Sequence, residues 1–433
     1  MVVPQKGATV LLLLALGAVV VEGLVLPKRT FHGHSVLRIK ANHNAHVEAL
    51  RSLEDVHGIN VDFWKSLKSV PGDAHLRVAA EDKEKVLSIL KSEGLEHDVI
   101  IDNLQEKIDR ENAELANRKV FKAGDHPSEI ATDNYHNLDE ILAYLDSVAT
   151  TYPTLASTQS IGKSHQNRDL KLIKIGKPGT NKKAVFINGC QHAREWLGCA
   201  TMVYIINELT TKQSTYDDLL TGLDIYILPV LNPDGYAYTW ASDRMWRKTR
   251  SGPRSGCYGV DPNRNWNYKW NVAGASRNPC SETYDGPSAN SEVETQAITS
   301  FLGANNKTLK AYFDIHTYSE DFMYSYGYAD VYPVDVTKLK KVAGQATSAV
   351  NSAHGESFKY GSITDVIYPA SGSSIDYAKG LLGIDYSYAM ELRPDENSWD
   401  GFILPTSQIL DGASECWAGV QLVFRAALTD TTD

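Results

Sequence analysis

The sequence predicts an α/β protein: a doubly wound mixed sheet with helices on both faces, preceded by a small ferredoxin-like α+β domain. Three observations predict it. The 433 residues exceed the usual size of one domain, so a large domain plus a smaller one is expected. In the first hundred or so residues, short strand-like and amphipathic runs follow one another in the order β-α-β-β-α-β. From about residue 125 onward, near-continuous apolar runs alternate with helical stretches, the pattern of strands covered on both faces.

Taken in order, residues 1–23 read as a secretory signal peptide: Lys6 precedes the apolar run Ala8 to Val21, and small Gly23 stands before an expected cleavage point. The run is too short for a comfortable membrane span, and no later segment matches its apolarity. A secreted, extracellular protein with no membrane partner follows. Residues 24–102 hold the small domain. "HSVLRIK" alternates like a half-buried strand, "AHVEALRSL" has helical spacing, and "INVDFW" returns to strand before the turn "SVPGD". The order then repeats with "AHLRVAA", with "EDKEKVLSILKSEG", acidic at its start and closed by Gly94, and with "LEHDVIID". Residues 103–122 form a highly charged, helix-prone connector ending in Arg118, Lys119 and Lys122; composition fits an exposed, protease-sensitive tether and a plain linker helix equally well. Residues 123–433 make the large domain, with strands "RDLKLIKIG", "KAVFIN", "LDIYILPV", "LKAYFDIH" and "IDYSYAMEL" and helices such as "WLGCATMVYIINELT" and "SEVETQAITSFLGA".

Charge and cysteine content narrow the function classes. A formal net charge of −10 and a pI near 5.7 argue against a nucleic-acid partner, because phosphate binding draws on a surplus of Lys and Arg. Five cysteines (Cys190, Cys199, Cys257, Cys280 and Cys416) meet an oxidising compartment if the chain is exported, and one is left without an intrachain partner. "NKT" at Asn306 matches a glycosylation acceptor.

In open α/β sheets, ligands bind just beyond the carboxyl ends of the strands. His192 and Glu195 follow "AVFIN", His316 closes "LKAYFDIH" and Glu391 ends "IDYSYAMEL", so three strands deliver imidazole or carboxylate to one edge. A catalytic zinc takes three protein ligands of the His/Glu kind and keeps one position open, and His-x-x-Glu with a distant His supplies that count. "DRMWRKTR" and "GVDPNRNW" add arginines in loops, the residue suited to gripping a carboxylate or a developing oxyanion. Read locally, either could equally be a solvated basic loop. Tyr368, in "DVIYPASGSSIDY", is a packed aromatic or a mobile-loop donor.

"HAREW", "DRMWRKTR", "GVDPNRNW", "PCSETYDGPSANSEVE", "DIHTYS", "IYPASGSSIDY" and "YAMELRP", in this order, resemble the zinc metallocarboxypeptidases of the A and B type, over most of residues 125 to 427. The region before them resembles that family's inhibitory propeptide. The resemblance implies the zinc carboxypeptidase fold and one Zn²⁺ per catalytic domain, held by His192, Glu195 and His316, with Asp261 orienting His192. It implies Glu391 as general base and Arg247 as the group that steadies the oxyanion. Asn263, Arg264 and Tyr368 would grip the substrate's terminal carboxylate, while Arg194, Arg244 and Tyr318 would contact substrate further along the groove. It also implies a disulfide between Cys257 and Cys280, and leaves Cys190, Cys199 and Cys416 unassigned.

Substrates would be peptide or protein C-termini, and the chain's own propeptide its intramolecular inhibitor. An activating protease would cut near Arg118 to Lys122, and a monomer is expected. The family's terminal side-chain pocket falls on Met323, Gly327, Ile363, Ile367, Ala370, Ile375 and Ala389. Ile375 stands where members that remove Lys or Arg carry an acid, so aromatic or large aliphatic termini are favoured. Glu320 and Asp321, close by in sequence, leave a mixed or basic preference as the alternative. An inactive binding protein of the same fold would have lost the base, a ligand or Arg247, and none is lost.

Overall fold

A computed structural model describes residues 28–59 and 61–430. The expected signal segment, 1–23, lies outside the described residues.

The small domain pairs β1 (Ser35–Ala41), β2 (Asp62–Lys65), β3 (Gly72–Val78) and β4 (Glu96–Ile101) in the order β2-β3-β1-β4, with all neighbours antiparallel. Helices α1 (Asn44–Asp55) and α2 (Lys83–Ser92) close one face of this sheet. Because side chains alternate along a strand, Leu37 and Ile39 of β1 join Leu50, Leu53, Val86 and Leu90 beneath the helices, while Val36 points to the other face. There it meets Phe31, Trp64 and Ile101, together with Tyr318, Phe402 and Ile403 of the large domain. One sheet therefore carries two cores, its own and an interdomain one.

The connector is helix α3 (Leu104–Ala116). Its charged composition conceals a buried stripe: Leu104 and Ile108 pack into the interdomain core, and Glu111 is buried against the large domain. After it, the Arg118 guanidinium makes a buried bidentate pair with Glu140, whereas Lys119 and Lys122 are exposed. The helix is thus docked along the large domain, and exposure is confined to the few residues after it.

The large domain opens with α4 (Leu138–Thr151). It is built on eight strands: β5 (Ala156–Lys163), β6 (Asp169–Ile175), β7 (Lys183–Gly189), β8 (Leu223–Leu228), β9 (Leu309–Ser319), β10 (Asp321–Tyr324), β11 (Lys359–Ser362) and β12 (Tyr386–Asp395). Their order is β11-β10-β12-β9-β7-β8-β6-β5. The joins β7/β8, β7/β9, β9/β12 and β10/β11 are parallel and the others antiparallel, so the sheet is mixed.

The remaining helices are α5 (Trp196–Thr211), α6 (Asp217–Gly222), α7 (Pro233–Ala241), α8 (Val293–Asn305), α9 (Val336–His354), α10 (Ile363–Val366), α11 (Ser374–Gly380) and α12 (Ile409–Thr429). On one face Val185, Ile187, Phe313 and Ile315 pack against Met202 and Ile206 of α5 and Val420 and Phe424 of α12. On the other, Phe186, Tyr312 and Ala389 meet Ile298 and Leu302 of α8 and Ile375 and Ala378 of α11. Both faces are covered, and this accounts for the uninterrupted apolar runs of the central strands. Among the described residues, no helix is long and apolar enough to cross a membrane.

The turn from β7 into α5 is very close. A Cβ on Gly189 would lie 2.6 Å from the carbonyl oxygen of Gly198, so only glycine lets the strand end and the helix start touch. A disulfide between Cys190 and Cys199 closes the same turn.

Candidate active site

The ends of β7, β9 and β12 meet at one edge. His192 and Glu195 lie between β7 and α5, His316 is on β9, and Glu391 is its register partner on β12. His192 Nδ1 is 2.8 Å from Glu195 Oε1, and His316 Nδ1 is 2.9 Å from Glu195 Oε2. The two Nδ1 atoms are 3.2 Å apart. All three side chains are buried, and among the described residues they are the one group of three or more His, Cys, Asp or Glu able to share a metal.

The far nitrogens explain the purpose of this crowding. His192 Nε2 faces Asp261 Oδ1 at 3.1 Å and His316 Nε2 faces Asp314 Oδ2 at 2.9 Å. A carboxylate acceptor fixes the proton on Nε2, which leaves both Nδ1 lone pairs and the Glu195 carboxylate directed at one another. That arrangement is repulsive unless a cation sits among them, and two imidazoles with one carboxylate are the donor set of a catalytic zinc. The residues present therefore fit the metal.

Asp314 was not singled out in the sequence. It lies two residues before His316, hence on the same face of β9, and Asp-x-His at a strand end is the signal that could have found it. Its other oxygen, Oδ1, accepts from Asn188 Nδ2 at 2.6 Å, and Ser374 Oγ donates to Oδ2, so the carboxylate is held in place.

Asp261 organises a second layer. It is fully buried, binds His192 through one oxygen and takes Arg247 Nη2 at 2.9 Å on the other. Burial alone would raise its pKa, but Arg247 and His192 outweigh that and hold it well below the usual range. The same carboxylate accepts the backbone N–H of Asn263, opening the short turn Pro262–Arg264. Arg264 Nε donates to the Gly274 carbonyl at 2.8 Å, and Nη2 is 3.5 Å from Tyr368 Oη. Gly372, at φ +68°, backs onto the Arg264 carbonyl; a Cβ there would approach within 2.3 Å. The expected Cys257–Cys280 disulfide is present and brackets this loop. Cys416 is free and buried beside Met390.

Burial drives the Glu391 carboxyl well above its usual range, with Glu195 and Asp321 adding to the rise and His316 and Arg247 opposing it. Its Oε2 is buried without a hydrogen-bond partner. Positive charge at the adjacent ligand cluster favours the ionised form.

A cavity of about 730 Å³ opens over these groups. Met323, Ile363, Ile367, Ala370, Ile375 and Ala389 line its apolar part. Gly327, the seventh expected position, lies behind Ile363 and Ala370, outside the lining. Asp321 reaches the wall; Glu320 does not.

Residues 64–73 of the small domain cover the mouth. Arg194 Nη1 lies 2.9 Å from both oxygens of Asp62 and stacks on Phe402. Arg244 is held bidentately by Glu111 at 2.6 and 2.9 Å. Tyr318 Oη is 3.0 Å from His75 Nδ1. Three residues expected to touch substrate are thus engaged by the domain in front. Nothing in the spacing of Asp62 or Glu111 marked them as their partners.

A doubly wound sheet with a His-Glu-His cluster and a buried carboxyl at its strand ends, capped by a ferredoxin-like domain, defines the class of zymogen metallopeptidases. The chain belongs to the zinc carboxypeptidase family, whose profile matches residues 141–419, and the carboxypeptidase activation peptide matches residues 37–111. It is similar to carboxypeptidase A2 of Rattus norvegicus, 40% identical over 407 residues, 93% of this chain and 95% of that protein. It is also similar to carboxypeptidase B of Astacus astacus, 45% identical over 292 residues, 67% of this chain and 96% of that one. The crystal structure of carboxypeptidase A from Helicoverpa armigera superposes with a TM-score of 0.85 at 29% identity, covering 93% of this chain and 99% of that one. The protein is a zinc-dependent metallocarboxypeptidase carrying its own activation peptide.

Proposed function

We propose that the chain is a secreted procarboxypeptidase which, once residues up to the 118–122 segment are removed, takes hydrophobic residues from peptide C-termini. The observation that carries this reading is the convergence of two Nδ1 lone pairs and a carboxylate beside Glu391, in the wall of a cavity that Ile375 also lines.

In this reading His192, Glu195 and His316 hold the zinc, and Asp261 and Asp314 orient the imidazoles. Bound there, zinc supplies Lewis-acid polarisation of the scissile carbonyl and lowers the pKa of water. Glu391 takes a proton from the attacking water and passes it to the departing amine. Arg247, kept charged by Asp261, steadies the oxyanion. Asn263, Arg264 and Tyr368 bind the terminal carboxylate. A buried guanidinium without its carboxylate is penalised, which disfavours internal peptide bonds. Arg194, Arg244 and Tyr318 bind upstream residues after Asp62, Glu111 and His75 withdraw. Specificity is supported by the apolar lining and by Ile375. The higher identity to a protein named carboxypeptidase B, over 292 residues, is what favours the mixed or basic alternative.

Cleavage by an activating protease is expected at exposed Lys119 or Lys122 rather than at Arg118, whose side chain is buried. The domain boundaries 24–102, 103–122 and 123–433 and a monomeric state belong to the same proposal.

The test is a panel of blocked dipeptides differing in the last residue, assayed with full-length and trimmed protein, with and without a chelator. Hydrolysis of Phe and Leu termini by the trimmed form alone, lost with chelator, is expected. Lysine as the preferred terminus would replace the A-like reading with the B-like one, and equal activity of both forms would remove the zymogen.

A further inference from the structure

The small domain and the connector helix set three cations on one acidic loop of the catalytic domain, residues 395–402. Lys65 Nζ is 2.7 Å from Glu396 Oε2, Lys107 Nζ is 2.9 Å from Asp400 Oδ1, and Arg38 Nη1 donates to Asn397 Oδ1 at 3.2 Å. Behind Glu396 lies Asp321, 4% exposed, whose carboxyl also feels Lys65 and Lys359. The Lys65–Glu396 pair is itself partly dried, at 24% and 32% side-chain exposure, so it is screened less than a surface pair. The catalytic domain's own Lys359 reaches Glu396 at 3.4 Å but is 65% exposed.

Strand register orders these groups along the substrate path. Met323 faces Ala389 in the apolar pocket; one step outward Asp321 faces Glu391, the general base; Glu396 follows beyond the strand end. Each step of two residues moves about 7 Å along the strand. Asp321 is therefore level with the scissile bond and Glu396 lies on its upstream side, both away from the pocket for the terminal residue. Phe402 and Tyr318, packed edge to face, line the same stretch and offer an apolar surface for the stem of a long side chain. Departure of the propeptide removes Lys65 from Glu396 and Asp321 and Lys107 from Asp400, and leaves exposed Lys359 as the cation beside Glu396 and Asp321.

We infer that Glu396 and Asp321 form a subsite for a lysine or arginine side chain of the substrate, upstream of the scissile bond, in the place that Lys65 holds in the zymogen. The inference rests on the carboxypeptidase reading above and adds a substrate class to it: peptides with a basic residue one to three positions before the C-terminal one.

The experiment uses the enzyme trimmed from its full-length zymogen and blocked tetrapeptides that all end in Phe, with Lys, Ala or Glu placed in turn at each of the three upstream positions. At one of these positions kcat/KM for Lys exceeds that for Ala by about 3- to 10-fold at low salt and Glu falls below Ala; the spread shrinks at about 0.5 M salt. In Glu396→Lys the order of Lys and Glu reverses, and in Glu396→Gln, which keeps the side-chain size, the ratio of Lys to Ala drops towards one. Equal rates for Lys, Ala and Glu at every position in the unmutated enzyme, or a preference for Lys that survives both substitutions, would overturn the subsite while hydrolysis of the Ala peptide leaves the carboxypeptidase reading intact. Failure to hydrolyse any of the peptides would overturn that reading and the subsite with it.

Discussion

The zinc-site edge and the propeptide face laid over it are both built from buried charge, and they balance it in opposite ways. Across the interface each buried arginine has a carboxylate from the small domain or the connector: Asp62 for Arg194, Glu111 for Arg244. At the cluster of His192, Glu195 and His316, the second layer is likewise closed by Asp261 and Asp314, but the first layer directs three electron-rich atoms at one another. The buried arginines of the interface find their carboxylates within the chain; the cluster is complete only with a cation. A surface made of reciprocal ion pairs can be exchanged for substrate, whereas a cluster fixed by second-layer carboxylates stays in place when the propeptide leaves.

The largest effect expected from breaking this contrast is at Glu391. In the trimmed enzyme, Glu391→Gln lowers kcat by about 10²- to 10⁴-fold, the usual contribution of a positioned acid–base group, with zinc content by elemental analysis unchanged. Retained turnover would remove Glu391 from the role of base. Next is Asp62→Asn in the zymogen. Asp62 closes both Arg77 and Arg194, and burial, which would raise its pKa, is outweighed by those two charges. Losing it leaves two buried guanidinium groups under-compensated, at a cost of about 3 kcal/mol or more. Hydrolysis by the uncut chain should rise measurably, while the trimmed enzyme, which lacks residue 62, serves as the control. An Asp62→Asn zymogen as silent as the parent would show that the interdomain apolar core and the remaining ion pairs maintain latency without Asp62.

The Cys190–Cys199 bridge tests the rigidity of the cluster itself. It encloses both His192 and Glu195 in a short loop, and in the chain-entropy account such a closure contributes about 2–3 kcal/mol. Cys190→Ala/Cys199→Ala should lower the thermal midpoint and speed zinc release to a chelator, with KM for a Phe-terminated peptide little changed. Unchanged zinc release would mean that the close Gly189–Gly198 contact suffices to hold the ligand turn.

Much of this was legible in the sequence, for physical reasons that also explain what was not. Strands β6, β7, β8, β9 and β12 lie inside the sheet; β7, β8, β9 and β12 show largely apolar runs, β6 interleaves Lys171 and Lys174 with Leu and Ile, and all five were expected. Strands β5, β10 and β11 were not: β5 is an exposed edge, and β10 and β11 have four residues each, too few to display a period. The metal cluster was legible because strand-end chemistry is local. The pairing of Cys190 with Cys199 was not, since spacing alone does not choose among three cysteines. The connector's charge suggested exposure, and the buried position of Glu111 became visible only with Arg244 opposite it. Contacts between separately folded domains leave little periodic trace in either partner.

The smallest effect concerns acid. His75 is buried at the interface, with Tyr318 Oη at Nδ1 and no partner at Nε2. Burial, assisted by the nearby Lys65 and Arg38 and opposed by Glu396, lowers its pKa from 6.5 to about 4. A group depressed in the docked state takes up its proton more readily when undocked, so docking is at full strength above pH 6.5 and weakens as pH falls towards 4. Lys65 and Arg38 stay beside His75 in the undocked domain, so at pH 5 the loss is less than the roughly thirtyfold that full release to 6.5 would give in the docking equilibrium. Zymogen nicked after Lys122 and passed over a sizing column should retain its propeptide better at pH 7.5 than at pH 5. His75→Gln, which cannot take up the proton, should flatten that difference. An equally steep loss in the variant would move the titration to His34, which is held near the same value by burial and by Arg77, 2.9 Å away.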